Sequence, residues 1–298
     1  MRRWVTGVQL GLVVCSVVGA SSVPSLTADR TLRPASQVTV AVVRAARPRA
    51  QAPAPPRGTL RSVVRWNAAG IRRELVEVAP VSSYRPLPLV VVLHGRRQTP
   101  WRAERIEGWD ALAANGRAVV AYGAGYAGSW DAGRCCGPAA ARRLDDDAYL
   151  LHVLRVEEQR HRIDRRRVYL VGFSNGGMLT YQFACAHSSA ISAFAVVAGS
   201  LETSSCRPSR GLAVLDVQGE DDRVVPYGGS RFSRVAGAPT ASVPSSLRSW
   251  RAADGSTGQV QLVRLPRLGH EWPTRRLGWD ATAWIWHFLS THSAGTSR

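Results

Sequence analysis

From about residue 58 to residue 290 the chain alternates short, continuously apolar runs with longer stretches whose apolar positions recur at helical spacing. Residues 59–66 and 71–78 flank Asn67-Ala68-Ala69-Gly70 and read as an opening hairpin. Residues 87–93 are apolar without a break, as expected of a strand covered on both faces. A helix over 101–114 and a buried strand over 118–122 follow. Residues 123–143 form an irregular loop that carries Trp130 and two adjacent cysteines. Leu144-Asp145-Asp146-Asp147 opens a helix reaching about residue 160; the acidic triplet reads as favourable charge in a first turn rather than as a metal site. Strands are then expected at 168–173, 191–197, 212–218 and 260–265, with helices at 178–186, 245–253 and 280–289. There is no internal repeat. Alternating βα units predict an α/β protein with a mostly parallel, doubly wound sheet flanked by helices and a site at the carboxyl edge of the strands.

The pattern changes at both ends. Met1-Arg2-Arg3 is basic, residues 4–18 are mostly apolar, and Val18-Gly19-Ala20 supplies small residues for cleavage, so residues 1–20 read as a signal peptide and the protein as secreted. Lipid anchoring through Cys15 is less favoured, because bulky Val14 precedes it. Residues 21–57, rich in Ala, Pro and Arg, read as a disordered linker. The globular domain is expected over 58–291, with a flexible tail over 292–298. No apolar run reaches the ~18–20 residues of a membrane-spanning helix.

Removal of Cys15 with the signal leaves Cys135, Cys136, Cys185 and Cys206, an even set that favours disulfides in an exported protein. Adjacent cysteines bridge only with strain, so Cys135 and Cys136 are expected to find separate partners. No Cys or His spacing suggests zinc. The formal net charge is +18, and the sequence contains no lysine. Attraction to anionic envelope polymers is open to such a surface. Nucleic-acid binding lacks any accompanying module, and a monomer is expected.

The candidate chemistry centres on Gly172-Phe173-Ser174-Asn175-Gly176-Gly177, a Gly-x-Ser-x-Gly pattern between an apolar run and a helical stretch. That context defines a nucleophile elbow, in which a tight turn exposes the serine above the sheet. In this fold order an acid and a histidine follow after later strands. Glu220, Asp221 and Asp222 compete for the acid; Asp222 is chosen from its Gly-x-x-Asp-x-x-Val-Pro setting. His270, in Leu268-Gly269-His270-Glu271-Trp272-Pro273, follows the last strand and is the expected base. His94-Gly95 follows the third strand, where the backbone N–H of Arg96 is expected to join that of Asn175 as an oxyanion donor. Trp101, Trp130 and Trp272 lie in loops and are candidates for an aromatic acyl pocket. Chemistry of this kind needs neither cofactor nor metal.

Several of these segments together resemble a known family. They are His94-Gly95 with Gln98-Thr99, Trp130-Asp131 with Arg134-Cys135-Cys136-Gly137-Pro138, Asp145-Asp146, the run from Arg167 to Met178, Val224-Val225-Pro226-Tyr227-Gly228, and Gly269-His270 with Trp272-Pro273. The chain is thereby similar to the extracellular esterases of carbohydrate esterase family 1, the feruloyl and acetylxylan esterases, and to the related polyhydroxybutyrate depolymerases. The resemblance implies an α/β-hydrolase serine esterase with Ser174, Asp222 and His270 as its triad. Its partner would be an ester substrate, with plant polysaccharide or polyester among the candidates. Arg96 stands where a small residue or cysteine is usual, and Gln218 replaces the frequent histidine of His-Gly-x-x-Asp. Two other readings fit the residues: a serine peptidase of the prolyl-oligopeptidase type, and a non-catalytic envelope-binding protein on the same fold.

Overall fold

A computed structural model of the chain describes residues 54–233, 237–255 and 258–294. The expected signal peptide, Cys15 and almost all of the linker lie outside these residues. The hairpin is present as β1 (Thr59–Ala68) and β2 (Ile71–Pro80), paired antiparallel from Thr59 opposite Pro80 to Ala68 opposite Ile71. Next come β3 (Leu87–Leu93), α1 (Pro100–Glu107), α2 (Asp110–Ala114), β4 (Val119–Gly123), α3 (Pro138–Ala141) and α4 (Asp146–Arg160). The second half holds β5 (Ile163–Phe173), α5 (Asn175–His187), β6 (Ala193–Val197), β7 (Ala213–Gly219), β8 (Ser230–Ser233), β9 (Ala238–Thr240), α6 (Val243–Ala253), β10 (Val260–Leu265) and α7 (Ala281–Ser290).

Eight strands make one sheet in the order β1-β2-β4-β3-β5-β6-β7-β10, and β8 with β9 form a separate ribbon. β2 meets β4 antiparallel, whereas every pairing from β4 to β10 is parallel. The continuous apolar runs have the cause expected of them. Successive side chains of a strand point to opposite faces, and both faces of β3 are covered. Leu89, Val91 and Leu93 share one core with Leu150 of α4, Leu179 of α5 and Trp250 of α6. Val90 and Val92 share the other with Leu112 of α2 and Ile285 and Leu289 of α7. The chain thus has the α/β-hydrolase fold.

One expected element is divided. Residues 101–114 form two helices, because Gly108 caps α1 in the left-handed region at φ 73° and turns Trp109 into the core. Thr99 caps the start of α1, and Asp145 caps α4 by accepting from the Ala148 N–H. After α7 the chain runs back along β5, where the Ala294 N–H donates to the Arg166 carbonyl at 2.9 Å.

Candidate active site

The register of the parallel strands brings their carboxyl ends into line. Leu93 is opposite Gly172, and Phe173 is opposite Val197. Segments that leave β3, β5, β7 and β10 therefore emerge along one edge. Ser174 is the first residue past β5 and has φ 54° and ψ −120°, a left-handed value that a side chain tolerates only when its surroundings enforce it. Its N–H donates to the Val197 carbonyl at 2.9 Å, and its own carbonyl starts α5 by accepting from Met178. The turn closes this tightly because of two glycines. A Cβ on Gly172 would strike the Gly176 carbonyl and Thr180, and one on Gly176 would strike the carbonyls of Leu93 and His94.

His270 bridges the other two expected residues. Its Nε2 lies 2.8 Å from Ser174 Oγ, and its Nδ1 lies 2.8 Å from Asp222 Oδ2. Asp222, three residues beyond β7, is buried. Its Oδ1 accepts from the N–H groups of Val224 and Val225 at 2.8 and 2.9 Å, and its Oδ2 also accepts from Gln218 Nε2 at 3.2 Å. A carboxylate so bound holds a proton on Nδ1 and leaves Nε2 to accept from the serine hydroxyl. Of the competing carboxylates, Glu220 is paired with Arg264 at 2.7 Å on the surface, and Asp221 is exposed.

The turn after β3 abuts the elbow. A Cβ on Gly95 would come within 2.8 Å of the Phe173 ring and 3.2 Å of Ser174 Cβ. Gln98 closes this turn, its N–H donating to the Gly95 carbonyl and its Oε1 accepting from the Gly95 N–H. Arg96 lies inside it. Asn175 opens α5, where first-turn N–H groups have no intrahelical acceptor. His94 is buried and neutral: burial lowers its pKa to about 4, against the raising effect of its bond to the Gly95 carbonyl. Its Nδ1 meets that carbonyl at 2.8 Å, while Nε2 accepts from the Gly125 N–H at 3.1 Å. It fixes a turn.

The tryptophans divide. Trp272 lines a cavity of about 580 Å³ that also exposes His270 and Phe173. Trp130 does not rim the site; it is wholly buried. An indole N–H in the core needs an acceptor, and Trp130 Nε1 finds the His94 carbonyl at 2.8 Å. Its backbone is gripped by the Asn175 side chain, which accepts from the Trp130 N–H at 2.8 Å and donates to its carbonyl at 3.1 Å. Trp101 is half-buried beneath the Arg61 guanidinium and is not among the residues lining this cavity. A second cavity, of about 590 Å³, lies against α7 and is lined by none of Ser174, Asp222 and His270.

The cysteines also depart from expectation. Cys185 on α5 bonds Cys206, 21 residues later, and Cys135 bonds its neighbour Cys136. Once Cys185 and Cys206 satisfy each other, Cys135 and Cys136 have no other thiol among the four. The bridge lies against the elbow, since Asn175 Nδ2 approaches Cys135 Sγ at 3.8 Å. Sequence reading gave no structural role to Gln218, to the Asn175 side chain, or to the lining residues Phe173 and Gln98. Gln218 carried a signal as a departure from the resembling family's His-Gly-x-x-Asp, and Phe173 and Gln98 through their places beside the serine and the His-Gly turn; nothing in the sequence marked the Asn175 side chain.

No protein-family model matches the chain. It is 29% identical over 160 residues to a bifunctional acetylxylan esterase/xylanase of Neocallimastix patriciarum, a match covering 53% of this chain and 22% of that protein. It is 28% identical over 158 residues to feruloyl esterase B of Piromyces equi, covering 49% of this chain and 28% of that protein. The chain therefore spans only about a quarter of the length of these two relatives. Among solved structures, a ferulic acid esterase of carbohydrate esterase family 1 from Anaeromyces mucronatus is similar, with TM-score 0.56 and 15% identity over 78% of this chain and 90% of that one. An S-formylglutathione hydrolase from Agrobacterium tumefaciens is similar with TM-score 0.54 and 12% identity, over 78% and 93%. The structural likenesses carry the fold. The sequence relatives carry the resemblance to acetylxylan and feruloyl esterases.

Proposed function

We propose that the chain is a secreted serine ester hydrolase whose catalytic domain spans residues 58–291, behind a cleaved signal and a linker. The observation that carries this reading is the unbroken hydrogen-bond chain Ser174–His270–Asp222, 2.8 Å at each step, across three loops at one sheet edge. In this mechanism Ser174 Oγ attacks the ester carbonyl as His270 Nε2 takes its proton, and Asp222 stabilises the imidazolium. The backbone N–H groups of Asn175 and Arg96 receive the developing oxyanion. Collapse expels the alcohol, protonated by His270, and leaves an acyl group on Ser174; water then repeats the sequence to release the acid. The substrates are acyl, acetyl, feruloyl or hydroxyalkanoate esters, on plant polysaccharide or polyester.

The test is a panel of 4-nitrophenyl butyrate, acetylated xylo-oligosaccharide, methyl ferulate and hydroxybutyrate oligomer on the purified chain. Ser174→Ala is expected to lower turnover by about 10³-fold or more while leaving the circular dichroism spectrum unchanged. Retained hydrolysis in a folded Ser174→Ala protein, or none of the four esters cleaved by the unaltered chain, would remove this reading.

A further inference from the structure

The cavity that exposes His270 has an uneven wall. Apolar Phe173, Trp272 and Ile106 form part of it. Arg102 and Arg105, from successive turns of α1, and Arg276, from the turn at Arg275–Leu277, also line it. Exposed arginines occur over much of this chain, but these three border one concavity that opens onto the histidine. Elsewhere guanidinium groups meet carboxylates: Arg73 meets Asp146, Arg160 meets Glu77, and Arg275, next to Arg276, meets Asp280 at 2.5 Å. Among the described residues no such partner engages Arg102, Arg105 or Arg276.

The cavity's own carboxyls offset the three arginines only in part. Glu107 is buried, and burial lifts its pKa to about 8 against the lowering effect of the Trp109 indole N–H, so it is mostly uncharged at neutral pH. Glu271 is exposed. Like charges gathered in a concave site with low-dielectric walls focus their field inward. The planar fork of arginine suits a carboxylate in particular.

We infer that this cavity is an anion-selecting subsite, and that the preferred substrates are esters carrying a carboxylate on the portion seated beside His270, Arg102, Arg105 and Arg276. The inference rests on the ester-hydrolase reading and adds a substrate class to it. The carboxylate has two possible sources, the acyl part or the alcohol part of the ester, and separate probes distinguish them.

The acyl-side pair is 4-nitrophenyl hydrogen adipate and its neutral counterpart, 4-nitrophenyl methyl adipate. The alcohol-side pair is 4-carboxyphenyl butyrate and its methyl ester. Each is assayed at about 10 mM and 500 mM salt, where screening lengths of roughly 30 Å and under 10 Å apply. For one of the pairs, kcat/KM is expected to favour the anionic member by about tenfold or more at low salt, mainly through KM, and the preference should shrink at high salt. In the triple variant Arg102→Gln/Arg105→Gln/Arg276→Gln the anionic-to-neutral ratio should fall to near one, each single exchange lowering it in part. Arg165→Gln, the same charge change as each single exchange but in an exposed pair with Glu158, should keep it. Neutral esters cleaved as fast as anionic ones in both pairs, or a preference that survives the triple exchange, overturns the subsite while the esterase stands. No cleavage of any probe by the unaltered chain removes the esterase reading instead.

Discussion

Asp222 accepts from two backbone N–H groups through one oxygen, and from Gln218 and His270 through the other. Gln218 is wholly buried, and its Nε2 also donates to the Val225 carbonyl at 2.8 Å. One amide thus ties the carboxylate to the turn that presents it, the position where histidine is frequent in the resembling family. In sequence, residue 218 reads only as a departure from that pattern. Its role depends on a carbonyl seven residues away that no motif names. Gln218→Leu is expected to cost about 1–3 kcal/mol of stability, since it leaves the Val225 carbonyl unmatched, and to lower kcat about tenfold as Asp222 loosens behind His270. Gln218→His should recover most of both in urea denaturation and ester turnover. A Leu variant with unchanged kcat would show that the two backbone donors alone hold the acid.

The loop between β4 and α4 is the element the sequence described least well. The strands around it were legible because parallel strands buried on both faces must be apolar throughout, and residues 87–93 met that demand at both ends. Ser174, Asp222 and His270 were legible because chain order and turn residues mark them locally. The loop's structure is instead written in long-range polar contacts: Trp130 to His94 and Asn175, and the Asp131 N–H to Asp146 Oδ2 at 2.7 Å. Hence Trp130 reads as a rim residue although it is a brace. Asp146 is buried and pairs with Arg73, whose guanidinium also lies over the Tyr149 ring at 4.3 Å. Burial raises the Asp146 pKa, and Arg73 opposes that shift. Arg73→Met therefore strands a buried carboxylate and is expected to cost about 3–5 kcal/mol. Arg73→Met/Asp146→Asn should be the more stable of the two, because the amide oxygen still accepts from Asp131 and no charge is left. Equal urea midpoints for single and double variants would mean that Arg73 acts by packing alone.

At the scale of the whole domain, the acid–base balance at the far end of α4 is one contributor to how stability responds to pH. There Glu77, Glu157, Arg160 and His161 meet, and the two carboxyls are driven apart. Burial pushes Glu77 up, but hydrogen bonds from His161 and Arg160, with their charges, outweigh it and hold its pKa at about 2. Glu157 is fully buried, and burial together with the neighbouring Glu77 charge holds it well above the ordinary range. Glu77, Glu157 and His161 have the spacing of a cation site, yet Arg160 already occupies Glu77 at 2.7 Å. The signs of the two shifts are opposite. Glu77 is depressed in the folded state, so its contribution is full above its unfolded pKa of about 4.5 and is lost as pH falls toward 2. Glu157 is raised, so it contributes no penalty below about 4.5 and an increasing one above it, as the unfolded chain ionises and the folded chain resists. Urea denaturation from pH 3 to pH 8 should therefore separate two variants. Glu157→Gln is expected to match the unaltered protein at the acid end and to become progressively more stable above about pH 4.5. Glu77→Gln should be the less stable at pH 7 and converge toward the unaltered protein as pH falls. Parallel curves for Glu157→Gln and the unaltered protein across the range would show that Glu157 is ionised in the fold, and that any proton held between the two carboxyls sits on Glu77 instead.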